Sequence, residues 1–312
     1  MLGERRSEMS IKVSMHNWMR PEPIESTIER LARLGYDGIE ISGEPQGYDV
    51  AHVRGLLDEH GLECWGAVTL MTAGRDLLHE DPYVRLGSVQ YVKDCLTFVA
   101  QLDGRILTVV PSTVGKVVPM GTASDEWGWC VEALQECQAH AETVGVRIGL
   151  EPLNRFETYF LNRCEQALAL ADAVGGDCGV ALDAFHMNIE ESDLLAAIRA
   201  AGDRLVDFHV ADNNRMPPGH GGLDWNAIVR ELAGIGYDGH MTVEFVASMD
   251  RSVISDRSEI GDASEAGGSV AMEKFLRDHS TGAVPESYYE RYAQQSIEHL
   301  RTAFAANAAP AV

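Results

Sequence analysis

The 312-residue chain carries 48 acidic against 25 basic side chains, a formal net charge of −23, and is 45% hydrophobic. That charge repels nucleic-acid phosphate and anionic membrane surfaces, so neither nucleic acid nor a membrane is an expected partner. No apolar run reaches the roughly 18 residues of a membrane span, and the opening "MLGERRSEMSIKV" lacks the apolar centre of a secretion signal, which predicts a cytoplasmic protein with residues 1–9 as a loose leader.

Short β-like runs then alternate with longer amphipathic ones. Lys12–His16 is followed by a helical pattern over Ile24–Leu34, Gly38–Ile41 by Val50–His60, Glu63–Val68 by Val84–Leu102, and Ile106–Val110 by Trp127–Val144. In the second half Arg147–Glu151 precedes Glu165–Val174, Gly179–Asp183 precedes Leu194–Ala201, Leu205–Val210 precedes Trp225–Ile235, and His240–Glu244 precedes a last helical run, Ser287–Ala305. Strict alternation implies a parallel sheet, and eight repeats favour closure into a single (β/α)8 TIM barrel over residues 10–312. An internal echo, "RLARLGYDGIEI" against "RELAGIGYDGHMTVE", places Gly35 and Gly236 where a helix would end in a left-handed cap. The polar, poorly periodic stretch from Asp250 predicts a long loop or insertion at about 250–285. Six cysteines (Cys64, Cys95, Cys130, Cys137, Cys164 and Cys178) form no CxxC pair and are expected to be reduced and structural.

In a parallel barrel the C-terminal strand ends form the active face. Glu151 ends the fifth predicted strand, Asp183 the sixth and Glu244 the eighth, and His209 lies just inside the end of the seventh. One acidic strand end is most often a helix cap or a salt bridge. Four in register, each a βα unit apart, point to a cation, because burying carboxylates without compensation costs several kcal/mol each. Two Glu, one Asp and one His suit Mn²⁺, Mg²⁺ or Co²⁺. Nearby, His186 and Arg215 are candidates for binding substrate oxygens, and Glu157 for orienting Glu151 or contacting substrate. Asp224 reads as a helix cap, and Asp212 and Asn213 as turn residues. A divalent cation chelated by vicinal sugar oxygens acidifies the C–H beside a carbonyl, and Glu151 and Glu244 could remove and return that proton. Epimerisation, aldose–ketose isomerisation and β-elimination all remain open from the residues themselves.

Four stretches, "LEPLNRFETYFLN", "LDAFHMNIEE", "HVADNNRMPPGHGGLDW" and "GYDGHMTVEF", resemble the xylose isomerase-like TIM-barrel superfamily, most closely its ketose 3-epimerase (tagatose/psicose 3-epimerase) branch. The resemblance is close from about Val146 to Val246 and extends to layout in the first half. It implies a Mn²⁺-type metal held by Glu151, Asp183, His209 and Glu244, with Glu151 and Glu244 as the acid/base pair. It further implies His186 and Arg215 on the oxygens at the reacting end of a sugar, Glu157 against Glu151 or the substrate, and a homo-oligomer. The chain departs from the branch at Phe245, where a proline is usual, and in "PSTVGKVVP", "MHNWMRPEP" and the segment after Asp250. These departures keep a second expectation in view. The catalytic subunit of a C-glycoside deglycosidase looks like the same barrel, is a lyase acting on 3-oxo-glycosides, and needs a small second subunit; Trp18, Trp127 and Trp129 would then line an entrance for an aromatic aglycone. An inosose dehydratase-like lyase and a non-catalytic sugar-binding or scaffold barrel are further alternatives.

Overall fold

The computed structural model describes residues 11–72, 74–247 and 284–308. Eight parallel strands close in chain order into one barrel: β1 (Lys12–His16), β2 (Gly38–Gly43), β3 (Glu63–Thr69), β4 (Ile106–Val109), β5 (Arg147–Leu150), β6 (Gly179–Asp183), β7 (Leu205–Val210) and β8 (His240–Val243), which pairs back onto β1. Around it lie α1 (Ile24–Leu34), α2 (Val50–His60), α3 (Pro82–Gln101), α4 (Ala123–Val144), α5 (Cys164–Val174), α6 (Ala184–Glu190), α7 (Leu194–Ala201), α8 (Trp225–Gly234) and α9 (Glu286–Ala308). The fold is the predicted (β/α)8 barrel. The expected leader and the expected insertion as far as residue 283 lie outside the described residues.

The helices start where the sequence supplies a cap. Asp49, Asp193 and Asp224 each accept a backbone N–H from the first turn of the helix that follows, and Thr122 with Asp125 forms a capping box on α4. The two Tyr-Asp-Gly joints do adopt left-handed glycines, with φ of 82° at Gly35 and 77° at Gly236. One element was not expected. Helix α6 spans only seven residues, too short for a helical period to show, and begins on Asp183, whose Oδ1 accepts the N–H of Phe185 at 2.8 Å.

Two cores result from the alternation of strand side chains. Outward residues such as Ile39, Ile41, Phe208 and Met241 are buried in one apolar layer with Ile28, Leu31, Leu96, Leu134, Leu170 and Leu232 of the helices. Each contributes roughly 1.5–3 kcal/mol by leaving water. Inside the barrel the filling is polar instead: Ser14, His16, Glu40, Thr108, Asp207, His209, His240 and Thr242 are all buried. Trp65 stacks on His240 with ring centroids 4.4 Å apart, and His240 Nδ1 meets Ser14 Oγ at 2.5 Å. All six cysteines are free and buried; burial pushes the thiols of Cys64, Cys95, Cys137, Cys164 and Cys178 up to about 12, so they are inert packing residues.

The C-terminal helix α9 completes the ring beside α1. Tyr36 donates its hydroxyl to Ala293 O at 2.7 Å, and Arg30, 3% exposed, binds Glu22 through both terminal nitrogens while lying 5.1 Å over the ring of Tyr289. Burial would raise the Glu22 carboxyl, but hydrogen bonds from Arg30 and Thr27 hold it below the usual carboxylate range. Its contribution is therefore present above the ordinary carboxylate pKa and is lost as pH falls through the lower folded value. Replacing Glu22 by Ala leaves the buried Arg30 guanidinium with only the exposed Glu286, at 3.4 Å, and is expected to cost about 3 kcal/mol. Urea unfolding checks this, and the wild-type advantage over the variant should shrink at acid pH.

Candidate active site

The strand ends bring the predicted quartet together. Asp183 and His209 are direct neighbours across β6 and β7. Glu151 and Glu244 are the residues just after β5 and β8 rather than their last members. Their backbones still continue the ladder, Glu151 N donating to Val109 O at 3.0 Å and Glu244 N to Val210 O at 2.9 Å. Their side chains meet at one atom: His209 Nδ1 lies 3.2 Å from Glu151 Oε1 and 3.1 Å from Glu244 Oε2. All four residues are at most 5% exposed.

Asp183 joins the expectation of a cap to that of a ligand. Its Oδ1 starts α6, while its buried Oδ2 accepts no hydrogen bond and faces His186 Nε2 at 3.5 Å. His186 rides on α6, not in the loop expected. Its Nδ1 accepts from the side-chain amide of Asn154 at 2.8 Å and from Asn154 N at 3.3 Å, which leaves the proton on Nε2, toward the cleft. Glu151, Asp183 and His186 have ligand atoms within 4.8 Å of one another, as do His16, His209 and Glu244. With Nε2 protonated, His186 is a hydrogen-bond donor rather than a ligand.

Arg215 is placed by its backbone. It sits at φ 58°, a left-handed conformation that costs a non-glycine residue about 1–2 kcal/mol and marks a held position. Arg215 N donates to Asp212 O at 2.8 Å and its O accepts from Val246 N at 2.7 Å. The guanidinium lies 4.6 Å over the ring of Phe185, 3.3 Å from Glu157 Oε1 and 3.6 Å from Glu244 Oε1. Glu157 also accepts from the Asn154 amide at 2.8 Å, so it ties Arg215 to the His186 support. Asp212 is more than a turn former. It is fully buried and accepts from Gly219 N, Leu223 N, Asn213 N and Trp225 Nε1, organising the whole loop after β7.

Burial pushes the carboxyls of Glu151 and Asp183 up, whereas at Glu244 the hydrogen bond and charge of His209, with His16 and Arg215, overcome burial and hold it well below the usual range. His209, between carboxylates on both sides, is raised well above an ordinary histidine despite its burial. The donor set fits a divalent cation: oxygen and imidazole only, an orphaned Asp183 oxygen, and two buried carboxylates, Glu151 and Asp183, whose charge burial disfavours.

Three inner residues escaped the sequence reasoning. His16 is 3.9 Å from Glu244 Oε2 and 3.7 Å from Glu40 Oε2, and burial lowers it to about 3, a neutral imidazole. Glu40 stands 3.4 Å and Asp207 2.8 Å from His209 Nε2. A signal for Asp207 existed: in "LVDFHV" it shares His209's face of the strand by the period of two.

Over these groups opens a cleft with about 420 Å³ of empty space, part of it open to solvent. Its polar lining is Glu151, Glu157, His186, Arg215 and Glu244 with Thr69, and its largely apolar lining includes Trp18, Val68, Met71, Val110, Val114 and Leu153. Of the three tryptophans expected at an entrance, Trp18 alone lines the cleft. Trp127 packs beside Phe160 at 6.1 Å, and Trp129 lies under Arg85 at 4.9 Å, so both serve the rim.

A parallel eight-stranded barrel with carboxylates and histidine gathered at its C-terminal mouth defines a class, and the sequence agrees: the chain belongs to the xylose isomerase-like TIM barrel family, whose pattern matches residues 28–279. Within it, the chain is 31% identical over 288 residues to the D-psicose 3-epimerase of Ruminiclostridium cellulolyticum, covering 88% of this chain and 90% of that one. It is 30% identical over 240 residues to the 3-dehydro-D-guloside 4-epimerase of Escherichia coli, covering 72% and 87%. The crystal structure of D-psicose 3-epimerase with D-tagatose from Clostridium cellulolyticum superposes with a TM-score of 0.80 at 28% identity, over 94% of this chain and 99% of that one.

Proposed function

We propose that the chain is a divalent-metal-dependent ketose 3-epimerase in which Glu151 and Glu244 move the proton at C3. The observation that carries this is the meeting of those two carboxylates, from opposite sides, at His209 Nδ1 beneath a cleft lined by His186, Glu157 and Arg215. Glu151, Asp183, His209 and Glu244 would hold the ion, Mn²⁺ first, with Mg²⁺ or Co²⁺ as substitutes. Such an ion, when bound, polarises the ketose oxygens and stabilises the negative charge that develops beside the carbonyl.

The protein's own groups then divide the work. Glu244, kept ionised by His209 and Arg215, takes the C3 proton. Glu151, whose grip on a proton burial strengthens, returns one to the other face. The reverse reaction exchanges the two roles. His186 Nε2–H and the planar fork of Arg215 hold the oxygens at the reacting end, and the Asn154–Glu157 bond keeps both donors aimed. The apolar wall receives the far end of the sugar.

The six buried, free thiols suit a reducing compartment, which supports a cytoplasmic location. No helix among the described residues is long and apolar enough to cross a membrane. Val117, Val118 and Phe156, exposed on the loops after β4 and β5, support pairing with a second copy of the chain.

Incubating the Mn²⁺-loaded protein in D₂O with D-psicose, D-tagatose or L-ribulose tests the reaction. Deuterium is expected at C3 of both epimers. Absence of exchange on every free ketose, with aglycone release from a 3-oxo-C-glycoside in the presence of a small second subunit, would replace the epimerase with a C-glycoside lyase.

A further inference from the structure

Under the quartet lies a carboxylate that touches no cleft. Asp207 is fully buried on β7, and three strands supply its partners. Its Oδ1 accepts from Trp65 Nε1 of β3 at 2.9 Å and from Phe208 N at 2.9 Å. Its Oδ2 faces Thr108 Oγ1 of β4 at 3.2 Å and His209 Nε2 at 2.8 Å. Trp65 is itself clamped by its stack on His240. The Asp207 carboxylate therefore cannot turn without breaking bonds to β3, β4 and its own strand.

We propose that Asp207 is the positioning residue of the metal centre: it holds the proton that His209 keeps on Nε2 when a cation displaces the one on Nδ1, and so aims Nδ1 as the ligand between Glu151 and Glu244. The inference rests on His209 being a ligand, as proposed above. The chemistry is that of a two-faced ring. Neutral imidazole carries one N–H, and an acceptor at one nitrogen places the proton there and the lone pair at the other. Histidine ligands are commonly oriented in this way by a carboxylate on the far nitrogen. Here the carboxylate is only two residues away on the same strand face, so one β-strand supplies both ligand and support. Glu40 also stands near Nε2, at 3.4 Å, but Asp207 is closer at 2.8 Å and is anchored by Trp65 and Phe208 N, so Asp207 sets the proton's direction.

The amide substitution shows why the charge matters. In Asp207→Asn the two N–H groups of Trp65 and Phe208 require the amide oxygen, which turns the amide NH₂ toward His209. A donor facing Nε2 forces the proton onto Nδ1, where it occupies the ligand position. The fold and the hydrogen-bond count are nearly preserved, but the ring presents the wrong face.

The metal affinity of chelator-stripped protein, measured calorimetrically with Mn²⁺ alone, tests this without reference to turnover. Asp207→Asn is expected to weaken Mn²⁺ by about 10- to 100-fold, and Glu40→Gln and Trp65→Phe by no more than about threefold. Thermal unfolding of the stripped variants confirms that all are folded. Equal affinity in Asp207→Asn and wild type overturns the inference, as does a larger loss in Glu40→Gln. Should the Asn variant not fold, ¹⁵N-histidine spectra of the Mg²⁺-loaded wild type decide: an Nε2–H tautomer at His209 is expected, and an Nδ1–H tautomer refutes the assignment. A wild-type protein that binds no Mn²⁺ at all would instead defeat the metal site itself.

Discussion

Glu244→Gln is expected to lower C3 hydrogen exchange on a free ketose by about 10²–10⁴-fold at saturating Mn²⁺, the usual loss when a positioned acid or base is removed. The change is nearly isosteric, and the amide oxygen can still offer a lone pair to the ion, so packing at β8 survives. What disappears is the ionised carboxylate that His209, His16 and Arg215 hold well below the ordinary range. Titrating Mn²⁺ separately from substrate divides any loss of ion from loss of proton transfer. That loss falls on the epimer whose C3 hydrogen faces Glu244, and Glu151→Gln should show the converse loss on the other epimer. With Glu244 intact, one epimer can still lose and regain its proton on the same face, so deuterium enters without inversion. Unchanged exchange in Glu244→Gln would end the acid/base assignment.

Addition of Mn²⁺ to chelator-treated protein should raise the unfolding temperature by about 4 °C at a hundredfold excess over the dissociation constant. The linkage term there is about 2.7 kcal/mol, and in a chain of this size each kcal/mol shifts the midpoint by roughly 1.5 °C. The physical source is visible in the barrel mouth. Glu151 and Asp183 are buried carboxylates that desolvation pushes toward the protonated form, and Asp183 Oδ2 has no hydrogen-bond donor at all. A cation removes that penalty only from the folded state. Differential scanning calorimetry with and without the ion measures it. Asp183→Asn should narrow the gap, and no shift with any of Mn²⁺, Mg²⁺ or Co²⁺ would rule out a structural grip on the ion.

Much of this architecture could be read from residue order, because eight βα repeats leave an unusually regular trace. The strands run as short stretches with an apolar residue at every second position, the glycine caps stand where helices stop, and the acidic strand ends recur one repeat apart. Legibility failed where the signal was short or interior. Helix α6 has two turns and hides inside what reads as a loop, which is why His186 was placed on the wrong kind of element. Glu40, Asp207 and His16 sit within or at the end of short strands, where a single polar residue is indistinguishable from an ordinary surface position until the barrel closes around it. The role of Asn154 depends on the turn that brings Leu153–Asn162 back on itself, with Asn162 donating to Leu153 O at 2.8 Å. Nothing in the spacing of Trp127 and Trp129 told that α4 would start at Ala123 and carry both away from the cleft.

The lining of the cleft is divided between the two halves of the chain. Proton-handling and oxygen-holding groups arise from Glu151 onward, and the apolar lining, Leu153 excepted, from Trp18 to Val114. A gene library randomised at Met71, Val110 and Val114 would therefore sample new tail groups on a turnover engine that remains untouched. Recombining first halves from divergent relatives with this second half offers the same freedom at a single crossover.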